Sequence, residues 1–167
     1  MGRLTFSMQM SLDGYMAGAA GELDFHLVDQ ELHRHFKEQE QATDVPLYGP
    51  RLYELMAGAW PAALDDPSLP DYIREYAAIW VAEPKVVFSG SLESVEWNSR
   101  LVRTDPAAEV ARLKAQAGRL SIGGAEIAAD LGRDGLIDEY RVYVTPGLIG
   151  DGRPMFPPSD GSRIPCG

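Results

Sequence analysis

Three short apolar runs in this chain end in a tight turn and lead on toward helical sequence. The junctions are Gly49-Pro50-Arg51, Ser89-Gly90-Ser91 and Gly123-Gly124-Ala125. This repeated unit restricts the fold more than any other feature. A strand that rejoins its own sheet through a crossover helix must run parallel to the strand it left. The expected class is therefore α/β, with a largely parallel sheet. In such sheets ligands lie beyond the carboxyl ends of the strands, where these junctions fall.

The rest of the chain fits that frame. Leu4, Phe6, Met8 and Met10 alternate along residues 3–10, the period of a strand. Residues 11–21 hold three glycines and read as a loop. Helical composition runs from Asp29 to Ala42, with a narrow apolar stripe of Leu32 and Phe36. Val45–Tyr48 is a short strand, residues 51–59 a helix, residues 61–70 a proline-rich loop and residues 72–81 a helix. Strands follow at 85–89 and, more weakly, at 101–103. Asp105-Pro106 opens a helix that ends near Gly118. Leu120–Ile122 is a strand and the stretch to Leu131 a helix, broken by Gly132–Gly135. Residues 138–146 alternate again, with Tyr140, Val142 and Val144 opposed to Arg141, Tyr143 and Thr145. Two units result: a domain over residues 1–156 and an irregular tail over 157–167.

Composition narrows the class of partner. The 167 residues carry 15 Lys and Arg against 25 Asp and Glu, a net charge of −10. Such a chain lacks the surplus of cations that nucleic acid requires, though one basic pocket remains compatible with it. Cys166 is the single cysteine, so neither an internal disulfide nor a cysteine-built zinc site can form. No leader and no apolar run of membrane length is visible, which predicts a cytoplasmic protein.

Several residues are candidates for chemistry. Gly123-Gly124 allows either a close helix–sheet turn or a diphosphate resting on free amides at a helix N-terminus. Arg51 can grip a phosphate or lie solvated. Asp13, Asp24, Asp29 and Glu31 are candidate acids, with turn and helix capping as the alternative role. His33 and His35, two apart on one helix, point in different directions and make no joint metal site. Trp60, Trp80 and Trp97 read as packing residues.

Taken together, Ser11-Leu12-Asp13-Gly14-Tyr15-Met16-Ala17, Leu47–Glu54, Lys85–Ser89 with Trp97–Leu101, Ile122–Ala125, Gly135–Tyr140 and Gly150–Phe156 resemble, in order, the motifs of the dihydrofolate-reductase-like family related to the C-terminal reductase domain of riboflavin biosynthesis. The resemblance covers residues 3–156. It implies a three-layer α/β fold whose mixed, mostly parallel sheet is flanked by helices. It also implies an NADPH-dependent reductase that transfers hydride to a small conjugated heterocycle such as a pterin or pyrimidine. The cofactor would lie against Ala17, Gly49, Arg51, Leu52, Ser89, Gly123, Gly124, Ala125 and Glu126, and the catalytic carboxylates would be drawn from Asp13, Asp29 and Glu31.

Pro50 and Gly90 stand where relatives carry groups that grip the 2′-phosphate. Preference for NADPH over NADH therefore falls to Arg51. A protein of the same scaffold that binds a nucleotide or other small molecule without turnover is the alternative. The tail from Pro157 lacks the closing hairpin of the family, and an uncovered sheet edge of that kind predicts a homodimer.

Overall fold

The computed structural model describes residues 1–116 and 118–156. The expected tail and its missing hairpin lie outside the described residues. The elements are β1 (Arg3–Ser11), β2 (Tyr15–Ala17), α1 (Gln30–Gln41), β3 (Val45–Tyr48), α2 (Pro50–Leu64), α3 (Asp71–Ala82), β4 (Lys85–Phe88), β5 (Ser99–Val102), α4 (Pro106–Gln116), β6 (Arg119–Gly123), α5 (Ala125–Arg133), β7 (Glu139–Thr145) and β8 (Arg153–Pro154).

Six strands form one sheet in the order β5-β4-β3-β6-β1-β7. All its pairings are parallel. Among the described residues, antiparallel pairing is confined to a separate two-stranded ribbon, β2 with β8. The fold is thus the expected α/β class, with helices on both faces of a parallel sheet.

Strand alternation decides what each face can bury. Leu4, Phe6, Leu47, Val86, Phe88, Leu120 and Ile122 form one buried layer with Val110 and Leu113 of α4 and Ala128 and Leu131 of α5. Full burial of one such side chain stabilises by about 1.5–3 kcal/mol. The opposite face is split. Over β3 and β4 it is apolar and aromatic, where Tyr48, Tyr53, Tyr76, Trp80 and Val87 pack together. Over β6, β1 and β7 it presents Ser121, Thr5, Ser7, Gln9, Arg141 and Tyr143. Such residues do not make a seam for a helix, and a cavity lies there.

Several sequence expectations are corrected. The glycine-rich segment after β1 contains β2, stabilised by pairing with the distant β8 that no local pattern announces. Helix α2 runs on through Pro61 to Leu64, where a loop was expected from residue 61. Its buried residue is Tyr53, while Leu55 is exposed. In α1 the most buried side chain is His33, with Leu32 and Phe36 only half-buried. The ring of His33 meets the rings of Trp60, Tyr72 and Tyr76, and the lost hydration of its charged form holds its pKa below the usual value. Helix α5 continues through Gly132 to Arg133. On the outer strand β7, Val142 and Val144 are exposed. Trp80 is fully buried, as a packing residue should be, whereas Trp97 is exposed.

Candidate functional site

The chain order places Gly49 and Gly123 far apart, and the sheet makes them neighbours. Because β3 pairs with β6, Tyr48 stands opposite Gly123. The Gly49 amide then donates to the Gly123 carbonyl at 2.9 Å. Helices α2 and α5 therefore start side by side from adjacent strand ends. Neither has a side-chain cap: their N-caps are Gly49 and Gly124. The first amides of both helices are left without intrahelical partners, and the positive ends of both dipoles face the same space.

Glycine suits this junction for two separate reasons. Gly124 has φ +113°, a conformation that side chains resist. A Cβ on Gly123 would overlap Leu52 Cδ2 and meet the Tyr48 ring. Uncapped helix amides beside bare backbone fit a diphosphate. Arg51 bridges to Glu126 at 2.7 Å across the two helix starts. Both side chains are largely exposed, so this pair is weak and Arg51 can exchange it for an anion. Ser89 is buried, and its hydroxyl accepts from the Ser91 and Leu92 amides at 3.2 and 3.0 Å, shaping the turn after β4. Ala17 is buried in β2.

The structure brings together Gly49, Arg51, Leu52, Gly123, Gly124, Ala125 and Glu126, but it disperses the three expected acids. Asp13 accepts from the Ser11 hydroxyl at 2.6 Å, the Gly150 amide at 2.8 Å and the Ile149 amide at 3.2 Å. The Ser11 hydroxyl above all, then the Gly150 amide, holds its carboxyl below the usual range. It is an ionised latch between the β1 turn and residues 147–150. Asp29 caps α1 by accepting from the Leu32 amide at 2.8 Å. Glu31 is exposed in the first turn of that helix.

Next to the glycine junction lies a cavity of about 400 Å³ over the polar half of the sheet. Gly123 and Leu52 close one end, and α1 supplies Phe36, Gln39 and Glu40 as its roof. Its floor is Thr5, Ser7, Gln9, Ser121, Arg141 and Tyr143. The His35 ring lies within hydrogen-bond distance of the Tyr143 hydroxyl, 2.9 Å, facing away from His33. Of these lining residues, Leu52 and Gly123 were the ones expected at a ligand site from sequence. The available signal was on β1, where Thr5, Ser7 and Gln9 oppose Leu4, Phe6 and Met8, a polar side on a strand buried in mid-sheet.

The model of the RibD C-terminal domain family matches residues 3–163. The chain belongs to that family. As a RibD C-terminal domain it is similar to the uncharacterized protein YyaP of Bacillus subtilis (strain 168). The two are 27% identical over 156 residues, covering 92% of this chain and 80% of YyaP. A crystal structure described as a putative riboflavin biosynthesis protein from Shewanella sp. PV-4 superposes with a TM-score of 0.70 at 24% identity, covering 97% of this chain and 86% of that one. A diaminohydroxyphosphoribosylaminopyrimidine deaminase/5-amino-6-(5-phosphoribosylamino)uracil reductase from Thermotoga maritima superposes at 0.63 with 15% identity. This chain spans 51% of that protein's length. Both superpositions establish the fold of the RibD C-terminal domain, and the described part contains no helix long and apolar enough to cross a membrane.

Proposed function

We propose that the protein is a reductase of the riboflavin-biosynthesis type that uses NADPH to reduce a small conjugated heterocycle. One observation carries this reading: two uncapped helix N-termini meet at Gly49 and Gly123 beside a polar cavity. Membership of the RibD C-terminal domain family supports it, as does a fold shared with a protein whose name includes a uracil reductase. The diphosphate would rest on the first amides of α5, with Gly124 and Ala125 beneath it, and Arg51 would turn from Glu126 to the 2′-phosphate. When bound, the nicotinamide supplies hydride. The chain's own groups bind, orient and exclude water. The cavity beside Gly123 would hold the heterocycle, with Gln9, Gln39 and Tyr143 offering hydrogen bonds to its edges.

The test is a fluorescence titration of the purified chain with NADPH and, separately, NADH. The expected result is micromolar binding of NADPH, with NADH at least about tenfold weaker, a difference of about 1.4 kcal/mol. Arg51→Ala should remove that difference while leaving NADH affinity unchanged. Oxidation of NADPH by 5-amino-6-(5-phosphoribosylamino)uracil, the substrate class in the Thermotoga maritima protein's name, is the matching activity assay. Binding of neither nucleotide would refute the reductase reading.

A further inference from the structure

Tyr143 stands on β7 beneath α1, and three contacts fix its ring. His35 Nε2 lies 2.9 Å from its hydroxyl. The His35 ring meets it at a centroid distance of 5.5 Å, and the Phe36 ring at 5.0 Å and nearly perpendicular. His35 and Phe36 are successive residues of α1, so one helix holds both the phenol ring and its hydroxyl. Strand register places Tyr143 relative to the glycine junction. Gly123 follows Ile122, the partner of Phe6, and therefore stands level with Ser7 and Arg141. Tyr143 pairs with Gln9, two residues nearer the carboxyl ends. That is about 7 Å further along the strands and, with β1 between β6 and β7, about 10 Å across them. A heterocycle beside Gly123 fits a gap of that width.

The other acids of the cavity are engaged elsewhere. Glu139 accepts from Arg141 Nε at 2.5 Å, and that hydrogen bond above all holds its carboxyl below the usual range. Glu40 accepts from the Tyr48 and Tyr76 hydroxyls, each at 3.4 Å, so both of those phenols give their protons to it. Glu83, just after α3, is pushed up to about 9, by burial above all, but lies outside the lining. Asp13, Asp29 and Glu31 lie outside it as well. Among the described lining residues, Tyr143 is the phenol whose hydroxyl no carboxylate holds. It also lines a second hollow of about 360 Å³, which His35, Gln39, Arg141 and Val142 complete and which opens to solvent. His35 lines this hollow and not the cavity. The charged group beside it there is Arg141, itself bound to Glu139 and Gln39. His35 Nδ1 has no hydrogen-bond partner among the described residues. An imidazole with one nitrogen on a phenol and the other free can pass a proton inward from water.

We propose that Tyr143, backed by His35, donates the proton that completes reduction of the heterocycle in this cavity. The role rests on the reductase reading above. Reducing a C=N or C=O bond forms a C–H bond with the hydride and moves the π electron pair onto nitrogen or oxygen. That pair takes the proton of the Tyr143 hydroxyl. The Nε2 proton of His35 crosses to the phenol oxygen as Nδ1 takes a proton from solvent. Exchange with solvent then returns the ring to its starting tautomer. Each turnover consumes one hydride and one proton, and neither side chain keeps a changed charge. Tyr143 is the catalytic residue in this scheme, and His35 is a positioning residue that refills it.

The test uses the full chain with Tyr143→Phe and His35→Gln, and it has two readouts. In the uracil-reduction assay, Tyr143→Phe should lower kcat about 100-fold or more, with NADPH affinity and thermal unfolding unchanged. His35→Gln keeps a donor for the phenol but cannot pass a proton on. It should lower kcat with little change in KM, and added imidazole should restore part of the rate. The second readout needs no cofactor. Nitrogen NMR of the wild type should find neutral His35 protonated on Nε2, and Tyr143→Phe should shift that resonance. A Tyr143→Phe enzyme with wild-type kcat, whatever its KM, makes the hydroxyl a binding contact and overturns the donor role. A His35 ring protonated on Nδ1, or a His35→Gln enzyme with wild-type kcat, overturns the relay. These results leave the reductase reading intact. A wild-type chain that reduces nothing overturns that reading, and this role with it.

Discussion

Replacing Gly123 by alanine tests the packing argument at the centre of the site. The backbone there permits an alanine, because Gly123 is not among the glycines with positive φ. The obstacle is space: the new methyl would overlap Leu52 Cδ2, and Tyr48 Cδ1 would stand 3.4 Å away. Overpacking of this kind costs about 1–3 kcal/mol. For a chain of this size that lowers Tm by about 2–4 °C per kcal/mol.

Most of the conflict is with one leucine methyl, so shortening that side chain should relieve it. Leu52→Ala alone removes half-buried apolar contact and should cost about 1–2 kcal/mol, below the range for a fully buried leucine. In the Leu52→Ala background, Gly123→Ala should then be nearly neutral, giving a coupling of about 1–2 kcal/mol between the two sites. Gly124→Ala is the control. Its Cβ meets nothing closer than 3.5 Å, so its cost, about 1–3 kcal/mol, comes from φ +113° and should not change with Leu52. Urea unfolding of the wild type, the three single variants and the two double variants measures all of this. If Gly123→Ala costs the same with and without the Leu52 side chain, the overlap is not the reason glycine stands there.

Two further outcomes concern charge. Asp13→Ala should speed hydrogen exchange at the Ile149 and Gly150 amides while amides of the central strands stay protected. In the wild type the same loosening should appear on acidification below the usual carboxylate range, because a carboxyl held low contributes stability that is lost as it protonates. Glu83 acts with the opposite sign. It keeps its proton in the folded chain up to about pH 9 but ionises near 4.5 when unfolded, so stability falls as pH rises between those values. Lys85 counteracts this only above about pH 8, where the unfolded chain holds the extra proton. Chemical unfolding from pH 5 to 10 should show the decline and its levelling above pH 8. Glu83→Gln should remove the decline, and an unchanged profile in that variant would contradict a protonated buried Glu83.

The sequence alone determined most of the alternation of strands and helices and the face that β1 buries. Leu4, Phe6 and Met8 announce their own side because strand periodicity is a local property. The glycine junctions were legible for the same reason, since φ +113° at Gly124 and the absence of a capping side chain are written in single residues. The ordered set of short motifs, compared with known families, pointed to the class of protein that the match over residues 3–163 establishes.

Only the tertiary structure decided which of these features meet. The β3–β6 pairing lays Gly49 against Gly123, and that choice depends on how whole strands share one sheet. The same packing made Asp13 a latch by bringing the distant Ile149 and Gly150 amides to its carboxylate, while Asp29 was taken up by the Leu32 amide of its own helix start. It also gathered Glu40, Tyr48, Tyr76 and Glu83 from α1, β3, α3 and the turn that follows. Each of these reads by itself as an ordinary surface or core residue. Their chemistry arises from shared burial, which above all keeps the Glu83 carboxyl protonated. Burial of that kind is a property of neighbours in space, and sequence spacing does not carry it.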